Sequence, residues 1–188
     1  MDSITSSKNQ NKEWRLANIC SIGGQKNGAC EKYQINLIKQ ITQLSYNKSK
    51  YMRLNHRTLE FKSISNPMTN GKGKSIPNGF DWSEDFDGLQ IHNNNKLYYN
   101  LKFVCGRGGA QTRTLKDVSS FIETQLKYIK KKGAENIIFI NILDGNESFR
   151  NMTRFEYLLN LEDYKPYNSK CFVGDMEQFQ SWFSKLNI

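Results

Sequence analysis

Apolar positions in the run CEKYQINLIKQITQLS (30–45) recur at Ile35, Ile38, Ile41 and Leu44, with Leu37 beside them. That spacing puts them on one face of an amphipathic helix. The pattern then turns to alternation. RTLEFKSI (57–64) sets Leu59, Phe61 and Ile64 among charges and predicts a short edge or hairpin strand. NPMTNGKGKSIPNG (66–79) is a loop by its Gly, Pro and Asn content. FDWSEDFDGLQI (80–91) is acidic with interleaved aromatics, and its second half, DFDGLQI, predicts a strand. HNNNK (92–96) is a turn, and KLYYNLKFVC (96–105) is the strongest strand pattern in the chain, so the two strands form a hairpin.

A glycine loop follows, GRGGAQTR (106–113), and then a helix, TLKDVSSFIETQLKYIKKK (114–132). Thr114 and Asp117 are spaced like a capping box at its start. Leu115, Val118, Phe121, Ile122, Gln125, Leu126 and Ile129 form one face, and Gly133 stands where a helix C-cap belongs. ENIIFINIL (135–143) is continuously apolar, as an interior parallel strand is. A helix at about 150–160, a strand KCFVG (170–174) and a helix from Asp175 to Phe183 complete the chain. No internal repeat or second-domain signal appears. The strand–helix–strand unit at 96–143 makes its two strands parallel neighbours, which predicts a single α/β domain, 1–188, with a mixed central sheet flanked by helices.

Composition changes this picture little: 188 residues suffice for a core, and 12% aromatic residues argue for a folded chain. No apolar stretch is long enough to span a bilayer, and MDSITSSKNQNKEW has no apolar signal region, so the expected location is cytoplasmic. The four cysteines (Cys20, Cys30, Cys105, Cys171) are scattered, which gives no zinc spacing and suits reduced thiols. Charge is more informative. The chain carries +9, and residues 1–75 hold all of that excess, 13 Lys and Arg against 4 Asp and Glu. A basic segment joined to a balanced remainder is the footprint of a polyanion binder. A solvated lysine-rich surface is the plainer alternative. Residues 1–29 read as a basic, partly loose N-terminal region.

The chemistry centres on the hairpin. Asp87 sits in DFDG on the first strand, and the second reads Tyr99-Asn100-Leu101-Lys102-Phe103. Alternation puts Asn100 and Lys102 on one face. A lysine within an apolar strand needs a partner to offset its burial, and Asp87 on the neighbouring strand is the natural one. A lysine snorkelling beside an exposed acidic turn is the plainer alternative. The glycine loop joins a strand end to a helix N-terminus, where backbone N–H groups and the dipole favour phosphate. Arg107, Gly108, Gly109 and Arg113 are therefore candidate contacts to a DNA phosphate and Gln111 to a phosphate or a base edge, with an ordinary strand-to-helix turn as the plainer alternative. The loop matches neither nucleotide-binding glycine pattern, so no nucleotide cofactor is expected. His56 and His92 have no spaced partner ligands and are expected at the surface. Cys105 lacks a nearby base that would make it a nucleophile.

The order helix–βββ–helix–β, with Asp on one strand and a polar-x-Lys on the next, resembles that of the PD-(D/E)xK nucleases, the restriction-endonuclease-like superfamily. The resemblance spans roughly residues 30–143. It implies an αβββαβ core, with the C-terminal helix–strand–helix as an appendage, and Mg²⁺-dependent cleavage of duplex DNA. Residue by residue, Asp87 stands at the motif aspartate and Lys102 at the motif lysine. Glu31, at the start of the first helix, matches a glutamate that many members use. Asn100 takes the place of the middle acid; it can offer Mg²⁺ a carbonyl oxygen but no charge. Either Asp85, Glu84 or Glu31 completes the site with Asp87, or the protein is an inactive DNA-binding domain that keeps the nuclease fold. The active alternative implies a type II restriction enzyme, with a homodimer supplying one site per strand and no membrane partner.

Overall fold

Helix α1 (Ala29–Thr42) forms on the expected stripe, with Ile38 wholly buried. It stops before Leu44 because Gln43 turns to a positive φ of 57°, which a helix does not continue through. The structure, a computed structural model, describes residues 29–69, 72–105 and 108–186. The basic region before α1 and Arg107 of the glycine loop lie outside the described residues.

The strand expected at 57–64 is only three residues long. Strand β2 (Phe61–Ser63) pairs antiparallel with β1 (Met52–Leu54), a strand too short and irregular to show in the pattern. Two features shorten it. The Asn55 side-chain oxygen accepts from the backbone N–H groups of Arg57 and Thr58, and Leu59 sits at a φ of 57°, so 55–59 is a turn. The pair forms a small sheet of its own and does not enter the main one.

Among the described residues the main sheet has four strands in spatial order: β3 (Gly88–His92), β4 (Asn95–Phe103), β5 (Ile137–Asp144) and β6 (Cys171–Gly174). β3 and β4 are the expected hairpin, closed by Asn93 and Asn94 at φ 45° and 67°, a conformation that asparagine tolerates. β4 and β5 are parallel and joined by α2 (Gly109–Lys132). The C-terminal segment is not an appendage. After α3 (Asn146–Leu159), β6 adds to the sheet parallel to β5, and α4 (Met176–Phe183) packs back over it. Four residues carry too little pattern to announce a core strand, although Cys171 and Phe172 bury on opposite faces.

Both faces are covered, which is why β5 is apolar on both faces up to Leu143, with Asn141 the one polar residue within that run. On one side Tyr98, Phe139 and Leu143 pack beneath Leu115, Val118, Phe121 and Ile122 of α2. On the other, Tyr99, Leu101, Ile140 and Ile142 meet Ile38 of α1 and Phe179 of α4. Fully burying each such side chain contributes about 1.5–3 kcal/mol. The capping box expected at Thr114 is absent, because α2 starts at Gly109 and the Thr114 hydroxyl donates to the Ala110 carbonyl within the helix. Asp175 and Gln178 form such a box at the start of α4. Among the described residues no helix is long and apolar enough to cross a membrane.

Candidate functional site

The hairpin register places Gly88 opposite Tyr99, so Asp87 meets β4 just ahead of Lys102. Asp87 is locked there at two points. Its N–H donates to the Tyr99 carbonyl, and its Oδ2 accepts from the Leu101 N–H at 2.6 Å. Burial pushes its carboxyl up to about 7; the Leu101 N–H and the Lys102 charge pull against that, while Glu31 and Glu84 add to it. Gly88 has a specific role beside it. A Cβ there would lie 2.1 Å from the Tyr46 ring, so only glycine lets Tyr46 cross the start of β3. The Tyr46 ring lies 5.3 Å from that of Tyr99, and its hydroxyl is buried without a protein partner among the described residues.

Asp87, Tyr46, Asp85 and Glu31 line one cavity of about 630 Å³, with Lys39, Lys48 and Lys50 among its other walls. Glu31 is exposed at the first turn of α1, where an acid also suits the helix dipole. Asp85 is already engaged, its Oδ1 2.9 Å from the Arg53 guanidinium.

Lys102 faces a second cavity, of about 530 Å³, bordered by Glu84, His56, Thr114 and Asp117. Its principal partner is not Asp87 as the strand pairing suggests. The ammonium donates to Glu84, and Asp87 acts on it only through space. Burial alone would lower the Lys102 pKa; the bond to Glu84 and its charge, then Asp87 and Asp85, outweigh this and raise it. Lys102 therefore stays charged.

Asn100 shares the Lys102 face, as alternation requires, but it sits deeper and does not reach the Asp87 cavity. Only 1% exposed, its Nδ2 donates to the Asn141 Oδ1 at 3.0 Å. Asn141 in turn exchanges hydrogen bonds with Gln125 and donates to the Phe172 carbonyl. This buried amide cluster ties β4, β5, β6 and α2 together, so Asn100 holds the sheet and is not placed to be a metal ligand.

In the glycine loop the backbone restriction falls on Gly108 and not on Gly109. Gly108 precedes α2 at φ 154° and ψ 173°, which glycine alone adopts readily, whereas a Cβ on Gly109 would meet nothing within 4 Å. The Gln111 Oε1 lies 2.9 Å from where a Gly108 Cβ would be, so Gln111 folds back over the loop. Arg113 is exposed on the first turns of α2. Two turns of the same helix reach the Lys102 cavity through Thr114 and Asp117.

Neither histidine is fully at the surface. His56 is half-buried, its Nδ1 2.7 Å from the Thr124 hydroxyl, and burial is the main cause of its lowered pKa. His92 is half-buried against Phe183. A further buried group escaped the sequence pattern. Asp144 ends β5 one residue beyond the apolar run, and burial pushes its carboxyl up to about 7. Its oxygens accept from Gln34 Nε2 at 2.7 Å and from the Met176 N–H at 3.0 Å. Gln34 also donates to the Lys102 carbonyl, which binds α1, and with it Glu31 one turn away, to the end of β4.

Among the described residues no three His, Cys, Asp or Glu side chains converge as a ready-made metal cluster. What the site offers a divalent cation is narrower. Asp87 and Glu31 share a cavity with an orphaned hydroxyl, and a cation would relieve the desolvated Asp87 carboxylate. Such a donor set suits a hard ion that keeps most of its own waters, as Mg²⁺ does. Compared with family models, curated proteins and solved structures, the chain matches none of them.

Proposed function

We propose that this chain is a Mg²⁺-dependent endonuclease acting on duplex DNA, with a restriction-endonuclease-like site in which Glu31 replaces the missing strand acid. The observation that carries the reading is the grouping of Asp87 and Glu31 on one cavity at the end of β4, with Lys102 in electrostatic reach. Asp87 and Glu31 would hold Mg²⁺, which when bound polarises a phosphodiester and lowers the pKa of water. Lys102 supplies a fixed positive charge toward which charge develops in the transition state. Glu84, exposed and bound to Lys102, occupies the lysine until a phosphate displaces it. Cutting both strands calls for two copies related by a two-fold axis, and restriction of foreign DNA is the role that fits such a dimer.

The competing reading is a DNA-binding domain without chemistry, and the burial of Asn100 favours it. Calorimetric titration of Mg²⁺ separates the two. The nuclease reading expects Asp87→Asn and Glu31→Gln each to weaken Mg²⁺ binding about tenfold or more; binding equal to the parent in both would remove the proposed ligands.

The Asp87 carboxyl gives the same reading a pH signature. Its folded pKa lies above its unfolded value, so its contribution to stability is full below the ordinary carboxylate range and lost as pH rises through about 7. Asp144, raised to a similar value, acts in the same direction. In EDTA the Tm is therefore expected to fall between about pH 4 and about pH 7, less steeply in Asp87→Asn. With limiting Mg²⁺, cleavage should rise across about pH 6 to 8 as Asp87 ionises. A Tm that climbs over the acid range in both proteins would contradict the burial argument.

A further inference from the structure

The groove between α2 and α3 is a third site of interest, on the far side of α2 from the Lys102 cavity. It encloses about 400 Å³ and is floored by Leu115 and Phe155, both buried. Helical spacing builds its walls. Leu115, Lys116 and Ser119 face it from α2, and Glu147, Asn151 and Arg154 face it from α3. Lys116 and Arg154 are exposed and enter no ion pair among the described residues. Arg113 lies one turn before Lys116 on the same helix and is likewise exposed without an ion-pair partner there.

The single acid of the groove does not cancel these charges. Glu147 is held at 3.2 Å by Arg150 and accepts from the Asn151 amide, so it is already neutralised within α3. The nearest acid of α2, Asp117, faces the opposite cavity. Two successive helices therefore bring uncompensated cations to the rims of one furrow, and that furrow begins beside the Gly108 turn. Unpaired cations flanking a groove are the arrangement that gains most from a polyanion, because each neutralised phosphate releases a condensed counterion.

We infer that the α2–α3 groove is a second, sequence-independent contact for the DNA sugar–phosphate backbone, made by Lys116 and Arg154 and extended by Arg113. The inference rests on the reading of the chain as a DNA-acting protein and adds where the duplex lies. The groove contacts carry no base information, since a lysine and an arginine set on phosphates position the duplex without reading it.

The test is the salt dependence of binding to a fluorescent duplex, in EDTA so that nothing is cut. Lys116→Ala with Arg154→Ala should reduce the slope of log affinity against log salt by about 1.8, at about 0.9 per lost phosphate contact. Affinity near ~0.1 M salt should drop about tenfold or more, by the same factor for unrelated sequences. Glu147→Gln, which releases Arg150, should steepen the slope. The control is Lys131→Ala with Lys132→Ala, the same change in net charge at the other end of α2, which should leave the slope as in the parent.

Equal flattening by both double variants would make the effect one of net charge and overturn the inference. An unchanged slope in the groove variant, with the parent binding normally, would overturn it and leave the nuclease reading intact. A parent that fails to bind duplex at all would overturn both. Thermal melts of each variant show whether a loss of binding is a loss of fold.

Discussion

Asp87→Ala and Lys102→Ala are each expected to lower Mg²⁺-dependent cleavage about 10²–10³-fold, the scale seen when a group acting on transition-state charge is removed. Neither should unfold the protein. Asp87 is a desolvated carboxylate whose removal relieves a burial cost at neutral pH, and Lys102 reaches the surface to meet an exposed Glu84. The two differ in what they lose. Asp87→Ala should weaken Mg²⁺ binding along with cleavage, whereas Lys102→Ala should leave Mg²⁺ binding within about threefold while cleavage falls. Kinetics with calorimetry on the same preparations measures both. Parent-like cleavage in either variant would remove that residue from the mechanism.

The largest effect on stability is expected at Asn141→Ala. Asn141 is fully buried and serves five hydrogen bonds, accepting from Asn100 and Gln125 and donating to Gln125, to the Phe172 carbonyl and, at 3.8 Å, to the Cys171 sulfur. Alanine would leave those partners buried and unmatched, at about 1–3 kcal/mol each. Even with partial relaxation the total should be about 3–5 kcal/mol, a fall of roughly 10 °C in Tm for a chain of this size. Asn100→Ala, which breaks one of those bonds, should cost less and act on stability more than on Mg²⁺ affinity. A Tm for Asn141→Ala within about 2 °C of the parent would show that the cluster does not hold the sheet.

The same cluster explains how much of the molecule was legible in the sequence. Long periodic segments were plain. The α1 stripe, the β3–β4 hairpin with its Asn-Asn turn, the α2 face and the apolar β5 follow from local spacing alone. Elements whose form depends on distant contacts were not. β1 left no pattern, β2 read as a longer strand than the three residues that pair with β1, and β6 read as a strand whose place inside the core sheet depends on the edge that β5 offers. Helix α2 began early because Gly109 and Ala110, which read as loop, are recruited once Gly108 has turned the chain.

The candidate site divides in the same way. Strand alternation put Asn100 and Lys102 on one face, and they lie on one face. It could not say that an amide cluster from β5 and α2 would claim Asn100, because Asn141 and Gln125 lie 41 and 16 residues from their partners along the chain. Nor did spacing pair Lys102 with Glu84 in place of Asp87, since Glu84 precedes the strand and its position depends on the turn. Tyr46 left a fainter mark. Its approach across β3 is recorded only in Gly88, a glycine at a strand start, which also reads as an ordinary turn residue.

Incubation of supercoiled plasmid with the full chain, in Mg²⁺ and separately in EDTA, tests the central proposal most directly. The account predicts conversion to nicked and linear forms in Mg²⁺, none in EDTA, and loss of both products when Asp87 is replaced by asparagine. Plasmid left supercoiled in Mg²⁺ by a folded parent that still shifts the duplex in a gel would contradict the nuclease and leave a DNA-binding domain in its place.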